Sequence, residues 1–417
     1  MECGLIGEHL PHSFSPEIHK LIGDYTYELR ELTPEEVGPF LKKRDFRAIN
    51  VTIPYKQTVM PYLDEISKEA LTIGAVNTVV NRGGKLYGYN TDFGGMTALI
   101  ESAGITVKDK KVLILGSGGT AHTAQAVCAE LGAKQVLTVS RHPAEGQISY
   151  EQALDAHTDA QVLVNTTPCG MFPHPETMAI DPLLFSQLEG VVDAVYNPLR
   201  TRLTQRAAQQ GVRVKNGLFM LAFQAVLAAE HFFDTPISAA RAKEICSAVW
   251  RSKENIVLTG MPASGKSTVG KRLSAMLDRP FVDLDEEIIK DAGCAITEIF
   301  QNEGEAAFRD RESRVLKQVA MRTGCVIATG GGAVLREENV QYLRQNGRLY
   351  FLDRPLDMLC PTDDRPTASD REALRRRYEE RYDIYCRCCD VRIPADGTVE
   401  EVANAVKGDF CDDYSGD

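Results

Sequence analysis

The sequence predicts an α/β chain built on more than one parallel sheet. Three observations carry that expectation. Two glycine-rich turns, at 116–121 and 260–267, each follow an apolar, strand-like run and open a helix-like stretch. At 417 residues the chain is longer than one hydrophobic core ordinarily serves, so two or three domains are expected. Its apolar content of 43% is that of a globular rather than a disordered chain.

Near the N-terminus, chemistry-bearing residues come in short groups. Gly7-Glu8-His9-Leu10-Pro11-His12-Ser13-Phe14-Ser15-Pro16 sets two hydroxyls two residues apart in a loop, where His12 is read as local structure. Asn50-Val51-Thr52-Ile53-Pro54-Tyr55-Lys56 puts a lysine just past an extended run. Gly74-Ala75-Val76-Asn77-Thr78 and Gly88-Tyr89-Asn90-Thr91-Asp92 follow. Each alone reads as turn chemistry, because Asn, Asp and Ser readily bond nearby backbone.

Lys111–Leu115 reads as a buried parallel strand. It runs into Gly116-Ser117-Gly118-Gly119-Thr120-Ala121, a G-x-G-x-x-A turn. A helical stretch over 123–131 closes at Gly132, and a second strand covers 135–139. This is the first βαβ unit of a dinucleotide-binding Rossmann fold. An NAD site places Asp or Glu at the end of that second strand for the ribose 2′-hydroxyl. Here the chain reads Ser140-Arg141-His142, and a guanidinium suits a 2′-phosphate, so NADP is expected.

Further groups are Asn165-Thr166-Thr167-Pro168-Cys169-Gly170-Met171, Asp193-Ala194-Val195-Tyr196-Asn197-Pro198 and Asn216–Gln224. The stretch 218–233 is the longest apolar run; Gln224, Glu230 and His231 interrupt it, and it reads as a buried helix too short to span a bilayer. Together and in this order, these segments resemble the shikimate dehydrogenase family over about residues 2–250. The resemblance implies reduction of the 3-dehydroshikimate ketone to shikimate by NADPH. It implies that Lys56 shuttles the proton and Asp92 orients it. Ser13, Ser15 and Thr52 match the family's carboxylate contacts; Asn77, Asp92 and Gln224 match contacts to the ring hydroxyls. Tyr196 matches a residue lining the substrate pocket and Gly217 one near the nicotinamide. Gly116, Ser117, Gly118, Gly119, Thr120, Ser140 and Arg141 are the expected coenzyme contacts. The family often reads Asn-Arg-Thr with a further basic residue where this chain has Ser140-Arg141-His142-Pro143, which removes one phosphate contact.

The second glycine-rich turn, Gly260-Met261-Pro262-Ala263-Ser264-Gly265-Lys266-Ser267, is a complete G-x-x-x-x-G-K-S phosphate loop between an apolar run (255–259) and a helical stretch (267–277). Its backbone N–H groups, Lys266 and the Ser267 hydroxyl suit phosphates and Mg²⁺. Asp283-Leu284-Asp285 is expected to end a strand, which would put both carboxylates on one face. Three glycines, Gly330-Gly331-Gly332, follow the apolar run 325–328 and allow close backbone approach to an anionic ligand. With Gly304-Glu305-Ala306-Ala307-Phe308-Arg309, these features resemble the shikimate kinase family over roughly residues 253–400. The resemblance implies phosphorylation of shikimate by ATP. Pro262, Ala263, Ser264, Gly265, Lys266, Ser267 and Thr268 then hold the nucleotide, with Ser267 and Asp283 supporting Mg²⁺. Asp285 takes the ring hydroxyls and the proton of the attacking one. Arg309 and Arg381 clamp the carboxylate, with a backbone contact from Gly331. Arg365 is the lid arginine over the phosphates; the family's Arg-Pro-Leu-Leu lid reads Arg365-Pro366-Thr367-Ala368 here, in a short segment.

The expected organisation is an α/β substrate domain at 1–95, completed by helices in 218–250, then an NADP-binding Rossmann domain at 96–217. A P-loop kinase domain with a parallel sheet follows at 253–417, after a short junction at 250–254. The product implied for the first half is the substrate implied for the second. The alternative is an active dehydrogenase whose kinase-like domain only binds nucleotide or builds an oligomer, a state the sequence leaves open.

A net charge of −11 without a basic stripe argues against nucleic acid as a partner. The eleven cysteines are mostly scattered; Cys386-x-x-Cys389 has no second pair, so Cys360, Cys386, Cys388 and Cys389 are read as ordinary thiols. That usage suits a reducing, cytoplasmic compartment. Met1-Glu2-Cys3-Gly4 lacks a basic region before an apolar core, so no signal peptide and no membrane partner are expected. The mixed-sign run 375–381 is expected to form a solvated helix face.

Overall fold

Short apolar runs separated by helical segments pair into three sheets. A computed structural model describes residues 1–10, 13–359 and 371–412. His12, Cys360 and the lid segment with Arg365 lie outside the described residues.

The first sheet contains β1 (Cys3–Gly7), β2 (Tyr27–Glu31), β3 (Ala48–Val51), β4 (Glu65–Ile66), β5 (Thr78–Arg82) and β6 (Lys85–Tyr89), in the order β2-β1-β3-β5-β6-β4. It is mixed: β1 runs parallel to β2 and β3, whereas β5 is antiparallel to β3 and β6. Gly83 and Gly84, at φ 60° and 87°, make the two-residue turn between β5 and β6, a geometry that suits a right-twisted hairpin.

The second sheet contains β7 (Lys111–Leu115), β8 (Gln135–Val139), β9 (Val162–Asn165), β10 (Gly190–Asp193) and β11 (Arg213–Asn216), in the order β11-β10-β9-β7-β8. All its pairings are parallel. The chain leaves β7 for β8 on one side and returns to β9 on the other. The carboxyl ends of β7 and β9 therefore form a topological switch point, where open α/β sheets bind ligands.

The third sheet contains β12 (Asn255–Thr259), β13 (Phe281–Asp283), β14 (Val326–Ala328), β15 (Gly347–Asp353) and β16 (Val391–Pro394), in the order β13-β14-β12-β15-β16, again all parallel. β12 is buried at every position, as a central parallel strand covered on both faces must be.

The chain divides into two compact units between Trp250 and Arg251. The division falls within the helix Ala239–Lys253, so the expected short junction begins inside a helix. In the first unit, the helix Gly217–Phe233 packs against the helix Thr91–Ser102. Its Ala228 and Phe232 join Cys3, Ala48 and Val80 of the first sheet in one apolar cluster. No helix among the described residues is long and apolar enough to cross a membrane.

Two expectations are corrected. β13 stops at Asp283, and Asp285 lies in the first turn of the helix Leu284–Ala292. Asp283 is that helix's N-cap and accepts from the Asp285 N–H at 3.0 Å, which is what a short carboxylate does at a helix start. The two carboxylates are thus related by a cap, not by a strand face. The charged run lies on the helix Arg371–Cys388, yet Arg381 is only 7% exposed, because helical phase turns it from the solvated face that Arg375 and Glu379 share.

Candidate active sites

In the first unit, the turn after β3 and the start of the helix Thr91–Ser102 bring Lys56 and Asp92 together. Lys56 Nζ donates to Asp92 Oδ2 at 2.5 Å. The Asn90 side chain caps that helix, accepting from the Asp92 and Phe93 N–H groups. Both partners keep some exposure, 28% for the lysine and 16% for the aspartate side chain, so the ammonium is held yet reachable.

Asn77 is buried beside this pair. Its Oδ1 accepts from the Thr91 N–H at 2.8 Å and its Nδ2 donates to Thr91 Oγ1 at 3.0 Å. Thr91 Oγ1 in turn reaches Gln224 Oε1 at 3.3 Å, across from the helix Gly217–Phe233. Ser13 Oγ donates to Ser15 Oγ at 3.1 Å in the loop after β1. Thr52 follows β3, with its methyl against Gly7. Tyr196 sets its ring edge-on to Phe14 at 5.4 Å, and burial raises its phenol pKa.

At the switch point, Gly116 takes φ 106°, and a Cβ there would press on Thr166 and Thr167. Gly118 is the N-cap of the helix Gly119–Glu130, which no side chain caps. Gly118 and Gly119 have open space where a Cβ would stand, and Thr120 is in the first turn. Glycines with open space before terminal N–H groups fit a pyrophosphate. Ser117 Oγ lies 3.4 Å from Ser140 Oγ, and Ser140 accepts from the His142 N–H at 3.2 Å. Arg141 is exposed beside them. Gly217 packs directly on the Ala194 backbone, leaving no room for a side chain.

Below that loop, the carboxylate of Asp193 is fully buried. It accepts from Thr201 Oγ1 at 2.6 Å, the Val195 N–H at 2.9 Å and Asn165 Nδ2 at 2.9 Å. Burial outweighs these three donors and pushes its pKa up to about 6.

In the second unit, the phosphate loop adopts positive φ at Gly260, Ala263 and Gly265, and the helix Lys266–Leu277 also begins without a side-chain cap. Lys266 is buried, with Nζ donating to the Gly260 and Met261 carbonyls at 2.9 and 2.8 Å, so the loop with Pro262 and Ser264 curls around an ammonium. Such a cradle fits a phosphate chain. Ser267 Oγ donates to Asp283 Oδ2 at 2.6 Å, and Thr268 follows on the same helix. A hydroxyl and a carboxylate form an all-oxygen pair that suits Mg²⁺ completed by phosphates and water.

A cavity of about 420 Å³ beside the loop is lined by Asp285, Arg309, Gly331 and Arg381, all singled out in the sequence. Arg381 Nη1 donates to the Gly331 carbonyl at 3.1 Å, and the Tyr385 hydroxyl donates to the same oxygen. Sequence reasoning missed Glu312, 1% exposed, which accepts from Arg309 Nη1 at 2.7 Å. Burial raises the Glu312 pKa against the pull of that guanidinium. The i, i+3 spacing of Arg309 and Glu312 on one helix was the available signal. The cavity thus pairs two arginines, suited to a carboxylate, with an aspartate suited to hydroxyls.

Residues 5–79 match the family model of the shikimate dehydrogenase substrate binding domain, and residues 262–409 that of shikimate kinase. Over 245 residues the chain is 37% identical to a shikimate dehydrogenase (NADP(+)) of Clostridium perfringens strain SM101, covering 54% of this chain and 90% of that one. The chain belongs to the shikimate dehydrogenase family. A shikimate dehydrogenase (NADP(+)) of Alkaliphilus oremlandii is 38% identical over 256 residues, covering 54% and 89% of the two chains. The shikimate 5-dehydrogenase of Thermus thermophilus, solved in complex with NADP(H) and shikimate, matches with a TM-score of 0.54 at 30% identity, over 60% of this chain and 99% of that one. A chorismate mutase/shikimate 5-dehydrogenase fusion protein from Clostridium acetobutylicum matches with a TM-score of 0.56 at 34% identity, over 59% and 96%. The shikimate dehydrogenase part is thus joined in one chain to a segment that matches the shikimate kinase family model.

Proposed function

We propose that the chain is a bifunctional enzyme that reduces 3-dehydroshikimate to shikimate and then phosphorylates shikimate to shikimate 3-phosphate, two consecutive steps toward aromatic amino acids. The Lys56–Asp92 pair carries the first half of this reading. When bound, NADPH supplies the hydride and MgATP the phosphoryl group. Lys56 Nζ gives a proton to the oxygen of the reduced ketone, and Asp92 holds the ammonium in place for it. Ser13, Ser15 and Thr52 take the substrate carboxylate; Asn77, Asp92 and Gln224 take its hydroxyls; Tyr196 walls the pocket. Gly116–Thr120, Ser140, Arg141 and Gly217 take the coenzyme. In domain terms, 1–95 with 218–250 holds the substrate, 96–217 the coenzyme, and 253–417 forms the kinase.

In the kinase, Arg309 and Arg381 fork onto the carboxylate, with Gly331 beside them. Asp285 orients the attacking hydroxyl and accepts its proton. Pro262–Thr268 wrap the nucleotide phosphates, Lys266 neutralises charge that develops there, and Ser267 with Asp283 holds Mg²⁺. Arg365 is assigned to the lid from sequence alone. The ten cysteines among the described residues are all free thiols, which suits a cytoplasmic enzyme.

A coupled assay tests the reading. Purified protein given 3-dehydroshikimate, NADPH and MgATP should form shikimate and then shikimate 3-phosphate. Shikimate without its phosphate would leave the second unit as a nucleotide-binding module. No NADPH oxidation would remove the dehydrogenase assignment.

A further inference from the structure

The first unit buries a histidine that the proton transfer does not use. His19, on the helix Ser15–Ile22, is 1% exposed. Its ring stacks on Tyr27 with centroids 3.7 Å and planes 12° apart, and Phe232 lies nearly parallel at 5.8 Å. Nδ1 meets the Tyr25 hydroxyl at 2.6 Å, and the other side of the buried ring faces the Asn50 side chain without a well-formed hydrogen bond at Nε2. Burial keeps the imidazole neutral, its pKa pushed down to about 3. A flat, neutral ring is what remains.

What that ring touches is the start of a polar chain. The Tyr27 hydroxyl donates to Asn50 Oδ1 at 2.8 Å and lies beside the Ser15 side chain. Asn50 Nδ2 donates to Thr78 Oγ1 at 3.1 Å, and Thr78 Oγ1 to Asn77 Oδ1 at 3.0 Å. Asn77 then leads through Thr91 to Gln224. One chain of hydrogen bonds therefore runs from Tyr27, whose hydroxyl neighbours Ser15, to Gln224, and so links the two ends of the substrate site assigned above. Buried polar networks hold their members to one arrangement only when every link is fixed. Tyr27 is the link whose hydroxyl moves most for a small ring tilt, and the His19 face opposes that tilt.

We propose that His19 is a positioning residue for the dehydrogenase: by stacking on Tyr27 it sets the spacing between the carboxylate-binding and hydroxyl-binding ends of the site. The proposal rests on the substrate reading above. The test is steady-state kinetics on the full chain with His19→Leu, which removes the flat face, and His19→Phe, which restores it without the hydrogen bond. His19→Leu should raise KM for 3-dehydroshikimate on the order of tenfold and leave KM for NADPH unchanged. His19→Phe should recover most of that loss. A histidine that only packs would lower melting temperature while leaving KM for 3-dehydroshikimate alone, and that result in both variants would overturn the proposal. If His19→Leu does not fold, Tyr27→Phe decides: the same rise in KM supports the chain, and an unchanged KM sinks it. Absence of ketone reduction in the unmodified protein is a separate result, which removes the substrate reading and this inference with it.

Discussion

Lys56 and Asp92, 36 positions apart in sequence, meet at 2.5 Å. One sits in the turn after β3 and the other in the capped first turn of a helix, so neither element alone places the pair. Lys56→Ala should lower ketone reduction by about 10²–10⁴-fold, the usual cost of removing a general acid. NADPH titration should still show binding, and ATP-dependent phosphorylation of shikimate should be unaffected. Near-normal reduction in this variant would take Lys56 out of the chemistry.

Arg141 should set coenzyme choice. Arg141→Asp removes the cation available to a 2′-phosphate and supplies an acceptor for a ribose hydroxyl. The ratio of kcat/KM for NADPH over NADH should fall, and an unchanged ratio would mean that another basic group reads the phosphate.

Asp193 predicts a pH dependence. Its pKa is raised to about 6 when folded, against 3.8 as the reference. The folded form holds its proton more tightly, so its favourable contribution is complete below pH 3.8 and disappears as pH rises through 6. Ionisation in the buried site costs about 3 kcal/mol over that window. Asp193→Asn, whose amide can still serve Thr201, should lack this slope. Hydrogen exchange of the β9 and β10 amides between about pH 4 and 7 should show the unmodified protein losing protection relative to the variant. Parallel profiles would contradict the raised pKa.

Arg381→Ala should raise KM for shikimate in the kinase reaction, with the loss of one partner of a buried charge pair costing about 2–5 kcal/mol. KM for ATP should change little. Equal, small effects on both substrates would argue that the cavity beside the phosphate loop does not hold the carboxylate.

Much of this architecture was readable before the structure. Both glycine-rich turns announce themselves because backbone that approaches an anion cannot carry side chains, a local constraint. β7, β8 and β12 stand where their apolar runs do. Helix starts were less readable: the helix at the dinucleotide turn begins at Gly119, not Thr123, because glycines weigh against a helix unless its first amides have another use. Asp285 was expected on a strand and lies in the first turn of a helix, since a carboxylate ending a strand and one starting a helix look alike in sequence. Glu312 was missed although its i, i+3 spacing from Arg309 stood in the sequence; His19, Tyr27 and Asn50 were missed for a different reason. Their significance lies in contacts between distant segments, and nothing within a few residues of any of them records those contacts.

The helix Gly217–Phe233 has a consequence for how the protein is made. It belongs spatially to a sheet whose last strand ends at Tyr89, yet the whole second sheet is encoded between them. A ribosome that has delivered the first strands has therefore delivered an unfinished layer, its Cys3, Ala48 and Val80 face still waiting for Ala228 and Phe232. Domains generally fold as units while the chain emerges. The same helix also lays Met220 into the core of the five-stranded parallel layer, so one late segment completes both layers of the first unit.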